Sequence, residues 1–216
     1  MASWKRAVAA IFAVCAMALA PVQALAHPHV WVKVKSHFLF DADGKITGVR
    51  HAWTFDDMYS AFAIQGLGKD GVPIDQALKA LAKVNVTQLA EYGYFTVLRI
   101  NGKQAAFKPA INHDITMDAK KIITLHFTVM LKTPVKAPRV SVLKVYDPTY
   151  FVAFDYAKQA PTGLDNAPKG CSVSVAVPKP LTPQQEARLA AVAGTNDSPG
   201  ENFGFFLAPS AILACP

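Results

Sequence analysis

His27 and His29, separated by Pro28, open the stretch "HPHVW" directly after an alanine-rich run. Imidazole is the commonest side-chain ligand for transition metals, so the chemistry to consider first is chelation. It depends on where the mature chain begins. If His27 is residue one, its α-amine and its ring can grip one ion together, and an amine pKa of about 7.7 to 8.0 makes deprotonation inexpensive at neutral pH. His29 then supplies a third nitrogen. Histidine in third place also resembles the amino-terminal copper and nickel site, but that geometry needs a deprotonated amide at position two, and Pro28 has no N–H to lose. The arrangement that remains is a brace, with His27 chelating and His29 closing from the side.

The preceding residues set that terminus. Met1 to Ala26 has a basic start with Lys5 and Arg6, an apolar run of 14 residues from Ala7 to Ala20, and the tail "PVQALA", which is the layout of a cleaved secretory signal. A helix needs about 20 apolar residues to cross a bilayer, so the run is short for a permanent anchor. Cleavage after "ALA" at 18 to 20 would leave Pro21 at the new terminus, a poor substrate, whereas cleavage after "ALA" at 24 to 26 exposes His27. Cys15 has no small residue before it that would make a lipoprotein site. The expectation is a signal over 1–26 and a single exported domain over 27–216, long enough for its own core.

The elements that must position the histidines come next. "HVWVKVKSHFLF" alternates, with Val30, Val32, Val34, Phe38 and Phe40 on one face, and so reads as a half-buried strand. "DADG" turns it into a returning strand, "KITGVRHAWTF". A four-residue loop sets Phe40 against Lys45 and His29 against Asp56; a three-residue loop with a bulge sets His29 against Asp57. Either way a carboxylate faces His29, and the face of Val30, Val32 and Val34 is shared with Phe55, Trp53 and His51. His51 therefore reads as structural. His37 lies eight residues from His29, about 26 Å along a strand, too far to share an ion. "FDD" at 55 to 57 can equally cap a short helix through "MYSAF".

Beyond the hairpin, Ile74, Ala77, Leu78 and Leu81 have helical spacing after the start signal "DGVP", for a helix to about Ala90, broken near Asn85. "YFTVLRI", the "NG" turn at 101 and 102 and "KQAAFK" suggest a second hairpin; "KIITLHFTVML", "RVSVLKVY" and "YFVAFDY" are strongly β-prone. "LTPQQEARLAAVAG" offers a helix with Thr182 as N-cap, Gln185 completing a capping box and Gly194 as the stop. "FGFFLAPSAILAC" is too apolar for a free tail and should pack back onto the domain. The class is α+β, a mainly antiparallel, sandwich-like sheet with two or three helices.

Other residues carry simpler readings. Asp147 before Pro148 in "YDPTY" is most economically an Asx turn, with a place in the metal site as the alternative. His113 reads as a loop residue and His126 as a strand residue. Cys171 and Cys215 remain after signal removal, and an isolated pair in an exported chain forms a disulfide more often than a metal site. The signal carries two basic and no acidic residues, so the formal charge of +7 falls to a mild excess of five. No basic run or basic–aromatic alternation points to nucleic acid. Gly-rich phosphate loops, HExxH, GxSxG and CxxC are absent from the sequence.

"HPHVWV", "HAWTFDDMYSAF", "YGYFTVLRINGK", "VYDPTYFVAF" and the closing cysteine together resemble an exported bacterial family, domain of unknown function 1007, over most of residues 27 to 216. Members are commonly described as periplasmic components of an uncharacterised ABC-type transport system and resemble partners of nickel/cobalt-type transporters. The resemblance implies metal handling through His27, His29, Asp56, Asp57 and Asp147. The expectation is a periplasmic, non-catalytic protein, not itself integral to the membrane. It would bind a divalent transition metal ion (nickel, cobalt, zinc or copper) in support of a membrane metal transporter. Ligand chemistry alone does not choose the metal, because affinity rises toward copper whatever the cargo. Two other readings stand beside it: a histidine-brace copper oxidase or oxygenase, and a metal-independent solute-binding or scaffold component of a transporter.

Overall fold

The alternation that begins at Val30 becomes two 11-residue strands, β1 (Val30–Phe40) and β2 (Lys45–Phe55), in the computed structural model, which describes residues 28–69, 71–192, 195 and 197–216. Their inward side chains, among them Val32, Val34, Phe38 and Trp53, are buried, while Trp31, Lys33 and Lys35 face outward. The turn between them closes on Asp41, whose Oδ1 accepts the N–H groups of Asp43 and Lys45.

Next to the turn Phe40 pairs with Ile46, as the three-residue loop would set it, but beyond that the register differs from both sequence-based alternatives and is shifted by two from that of the four-residue loop. Val32 pairs with Phe55 and Leu39 with Gly48, after which a bulge resets Phe40 to Ile46. Thr47 is the extra residue, and its hydroxyl donates to the Leu39 carbonyl at 3.1 Å. The two strands keep their inner faces, because the slip is two residues and the pleat repeats every two. What changes is the partner at the open end: Asp56 exchanges backbone contact with Trp31, not His29.

From β2 the chain enters α1 (Asp57–Ala63), then α2 (Ile74–Glu91), a 3-10 turn (Gly93–Phe95) and strands β3 (Thr96–Ile100) and β4 (Lys103–Gln104). The expected break in α2 is absent. Asn85 instead donates its side-chain amide to the Leu81 carbonyl one turn back, and Leu78, Ala82 and Val86 form a buried stripe. That stripe packs on β5 (Ile111–Met117). Strands β6 (Ile123–Lys136), β7 (Val140–Val145), β8 (Val152–Tyr156), β9 (Thr162–Asp165) and β10 (Ser172–Ala176) follow. α3 (Pro183–Ala191) has the expected Thr182 and Gln185 capping box, α4 (Phe203–Leu207) is one further short helix, and β11 (Ser210–Ala214) ends the chain.

One sheet runs β5-β6-β2-β1-β8, with β9 also on β1; the other runs β10-β11-β7-β3-β4. The second sheet is antiparallel throughout, whereas β1 pairs parallel with both β8 and β9. Their inner faces share one core, in which the Trp53 ring meets Phe127 at 4.8 Å and Phe154 at 4.9 Å between centroids. The α+β, sandwich-like class expected from the sequence is what the chain adopts. The β10–β11 register sets Ser172 opposite Ala214, so Cys171 and Cys215 meet one step beyond, and they form a disulfide. Among the described residues, no helix is long and apolar enough to cross a membrane.

Candidate metal centre at the start of strand β1

His29 sits just ahead of β1, and two contacts hold it. Its backbone N–H donates to the Phe151 carbonyl at 2.9 Å, and its ring stacks on the Phe151 ring at 4.5 Å between centroids. Both come from the parallel neighbour side of β1, where Val30 pairs with Val152. His27 lies outside the described residues.

Asp56 acts as a clamp on the other side of the strand. Its Oδ1 accepts the Tyr59 N–H at 2.7 Å as the N-cap of α1, and its Oδ2 accepts the Trp31 N–H at 2.7 Å. The Asp56 N–H donates in turn to the Trp31 carbonyl. One carboxylate therefore stops β2, starts α1 and fixes β1 two residues from His29. Burial first, and then the Asp56 charge, push the Tyr59 phenol above its ordinary pKa. Charge-assisted bonds to backbone N–H groups are among the stronger ones. Asp56→Ala is accordingly expected to cost about 2 kcal/mol, read from urea unfolding, with Asp56→Asn intermediate; a change below about 0.5 kcal/mol would remove the clamp from this account.

The other carboxylates are placed differently. Asp57 is exposed, with Oδ1 accepting the Met58 N–H. Asp147 is buried, and its oxygens accept three bonds: Thr149 N–H and hydroxyl on Oδ1, Val152 N–H on Oδ2. With the Tyr150 N–H on its carbonyl, this is the Asx-type turn anticipated for "YDPTY". Gly204 of α4 lies against it so closely that a Cβ there would overlap the Asp147 carbonyl. Asp147 thus holds the β7–β8 connection, which sets β8 and, through the parallel pairing, the start of β1.

The cross-hairpin carboxylate expected to face His29 is not there: the two-residue slip carries Asp56 to Trp31, and its oxygens turn to backbone donors. Among the described residues, no three His, Cys, Asp or Glu side chains come together as a metal-holding group. The remaining histidines serve elsewhere. His37 pairs with Asp165, which also holds Arg50 at 2.7 Å; His126 contacts Thr116 at 2.8 Å; His51 is buried. His113 belongs to strand β5 and not to a loop, and it sits in the irregularity between Ile111 and Asp114, where the β5–β6 register passes over it.

Sequence reasoning did not find Phe151 or the recess beside it. Trp31, Lys33, Asp147, Tyr150, Asp155 and Leu207 are among the residues lining this space of about 220 Å³. Burial raises the Tyr150 phenol above its usual pKa. No local pattern announces this neighbourhood, because parallel pairing joins segments more than a hundred residues apart.

Residues 12–215 match the family described as "Protein of unknown function (DUF1007)". The chain belongs to this family. This DUF1007 chain is also similar to an "Uncharacterized protein" of Haemophilus influenzae (strain ATCC 51907 / DSM 11121 / KW20 / Rd), 23% identical over 197 residues, covering 88% of this chain and 92% of that protein. The DUF1007 match, over residues 12–215, takes in both sheets and is not confined to the hairpin that carries His29.

Proposed function

We propose that this protein is an exported, non-catalytic metal-binding accessory of a membrane transporter, with His27 and His29 as the nitrogen ligands of a divalent transition ion. The reading rests on one observation above the others: His29 is fixed by the Phe151 carbonyl and ring at the head of a strand paired on both edges. A preset imidazole loses little freedom on binding, and His27, two residues earlier in sequence, would bring its ring and, after processing, its amine. Asp57 is the exposed carboxylate nearest in sequence to the clamp; Asp56 and Asp147 keep β1 and β8 in place. The Cys171–Cys215 disulfide supports an oxidising compartment, and the periplasm is the one proposed.

Isothermal titration of the processed protein with nickel, cobalt, zinc and copper ions is expected to give about one tight site. In His27→Ala/His29→Ala the affinity should fall by roughly a hundredfold, in line with losing two of three nitrogens. An unchanged isotherm would overturn the assignment. A mature terminus other than His27, read by mass spectrometry, would remove the chelating amine.

One observation favours a second reading, a metal-independent scaffold: the Asp56 and Asp147 carboxylates already accept backbone N–H bonds. Binding to a purified transporter that survives chelator and the double histidine substitution would support it.

A further inference from the structure

His51 is 1% exposed and stands between the two sheets. Its Nδ1 lies 3.0 Å from the Ser36 hydroxyl on neighbouring β1, and its Nε2 lies 3.3 Å from the Thr96 hydroxyl on β3 of the opposite sheet. The proton positions follow from the third member. Thr96 donates its hydroxyl proton to the Tyr94 carbonyl at 2.7 Å, so its oxygen can only accept from His51. Nε2 therefore carries the proton, Nδ1 is bare, and Ser36 donates to Nδ1. One neutral tautomer satisfies the whole chain.

We infer that His51 is an acid-sensitive latch between the sheets: neutral, it bridges Ser36 to Thr96, and protonation of Nδ1 reverses the Ser36 side of the bridge and sets a charge in the core. The reason is directional. An imidazolium keeps its Nε2–H bond to Thr96, but its new Nδ1–H points at a hydroxyl that was donating. Ser36 must turn its proton away, toward the Tyr156 phenol, so that its oxygen can accept from Nδ1. Burial already pushes that phenol up to about 12, with the Ser36 contact opposing.

Among the described residues the hydrogen-bond partners of the ring are hydroxyls and not carboxylates. Its aromatic neighbours are Trp53 at 5.8 Å and Phe127 at 5.1 Å; the titratable groups bordering the cluster are the phenols of Tyr156 and of Tyr94, which packs on Phe127. Burial is the sole cause acting on His51, and it lowers the pKa to about 3. Cation–π attraction is the one favourable contribution available, and it is smaller than such a desolvation effect.

The sign follows from linkage. Above pH about 6.5 both folded and unfolded chains hold His51 neutral, and it adds no pH dependence. Below that, the unfolded chain takes up a proton that the folded chain refuses, so stability falls with pH until about 3.

The test compares the wild type with His51→Gln, whose amide can accept from Ser36 and donate to Thr96 but cannot titrate. Urea unfolding is followed between pH 7.5 and 4.5 with the disulfide intact. Every other histidine is common to both proteins and cancels. The wild-type unfolding constant is expected to gain about tenfold per pH unit relative to the variant, reaching roughly a hundredfold at pH 4.5. Parallel profiles would overturn the latch. Should His51→Gln fail to fold, nitrogen-15 spectra of wild-type histidines decide instead: a neutral Nε2–H signature persisting to pH 5 supports the latch, and a midpoint near 6.5 overturns it.

Discussion

Replacing Cys171 and Cys215 together by serine is expected to lower the unfolding free energy by about 4 kcal/mol in the chain-entropy picture. The bridge closes 44 residues of sequence, and releasing a loop of that size returns much conformational freedom to the unfolded chain. The location adds to the effect. β11 is not an edge strand; it lies between β10 and β7, and its Ala211 and Leu213 are fully buried. The loop it closes carries α3, none of whose residues is buried, and α4, which is tied down by buried Phe203 and Gly204 and by the Lys144 ammonium on the Phe205 and Ala208 carbonyls, so the bridge adds most to the α3 part of the segment. Urea unfolding of the double serine variant beside the oxidised protein measures the difference. A loss under about 1 kcal/mol would mean that strand pairing alone holds the C-terminus.

Asp147→Ala should cost about 3 kcal/mol, because a buried carboxylate that accepts three bonds leaves its donors unmatched when removed. The Val152 N–H, at the head of β8, loses its carboxylate acceptor. Thr149 can turn its hydroxyl elsewhere but not its backbone N–H. Asp147→Asn keeps one oxygen for Thr149 while presenting an amide to one side of the turn, so it should fall between the two. Unfolding measurements are paired with metal titration of the folded Asn variant. Lower stability with affinity within about threefold of the wild type makes Asp147 the support of β8. A large fall in affinity with unchanged stability would return it to the ligand set.

The contrast between Asp56 and Asp147 marks a boundary in what sequence reveals. Both were legible as turn or cap residues, since Asp before a helical run and Asp before Pro each have a local mechanism. For Asp56 the alternative role, facing His29, required register, and register was fixed by something a pattern does not carry: a bulge at Thr47 whose hydroxyl finds the Leu39 carbonyl. The pleat protected the core assignment from that error, because a slip of two leaves every side chain on its own face. It gave no such protection to the pairing at the open end.

Local pattern determined the hairpin, the alternation of β1, the presence of α2 and the capping box of α3, because hydrogen bonds and burial repeat at fixed sequence intervals; the buried stripe of α2 fell on Leu78, Ala82 and Val86 and left Ile74 exposed, and the disulfide followed from the number of cysteines. The short strands β5, β9 and β10 escaped notice. They are four to seven residues long, and β5 and β9 lack the alternation that a half-buried strand would show, whereas β10 carries it in Ser172 to Val175 over too short a run to stand out. Only the tertiary structure decided that β8 and β9 lie parallel to β1, that Phe151 receives His29, and that His51 touches both sheets. Each of those contacts closes a long loop, and its partner is selected by competition among many apolar and polar surfaces across the whole core.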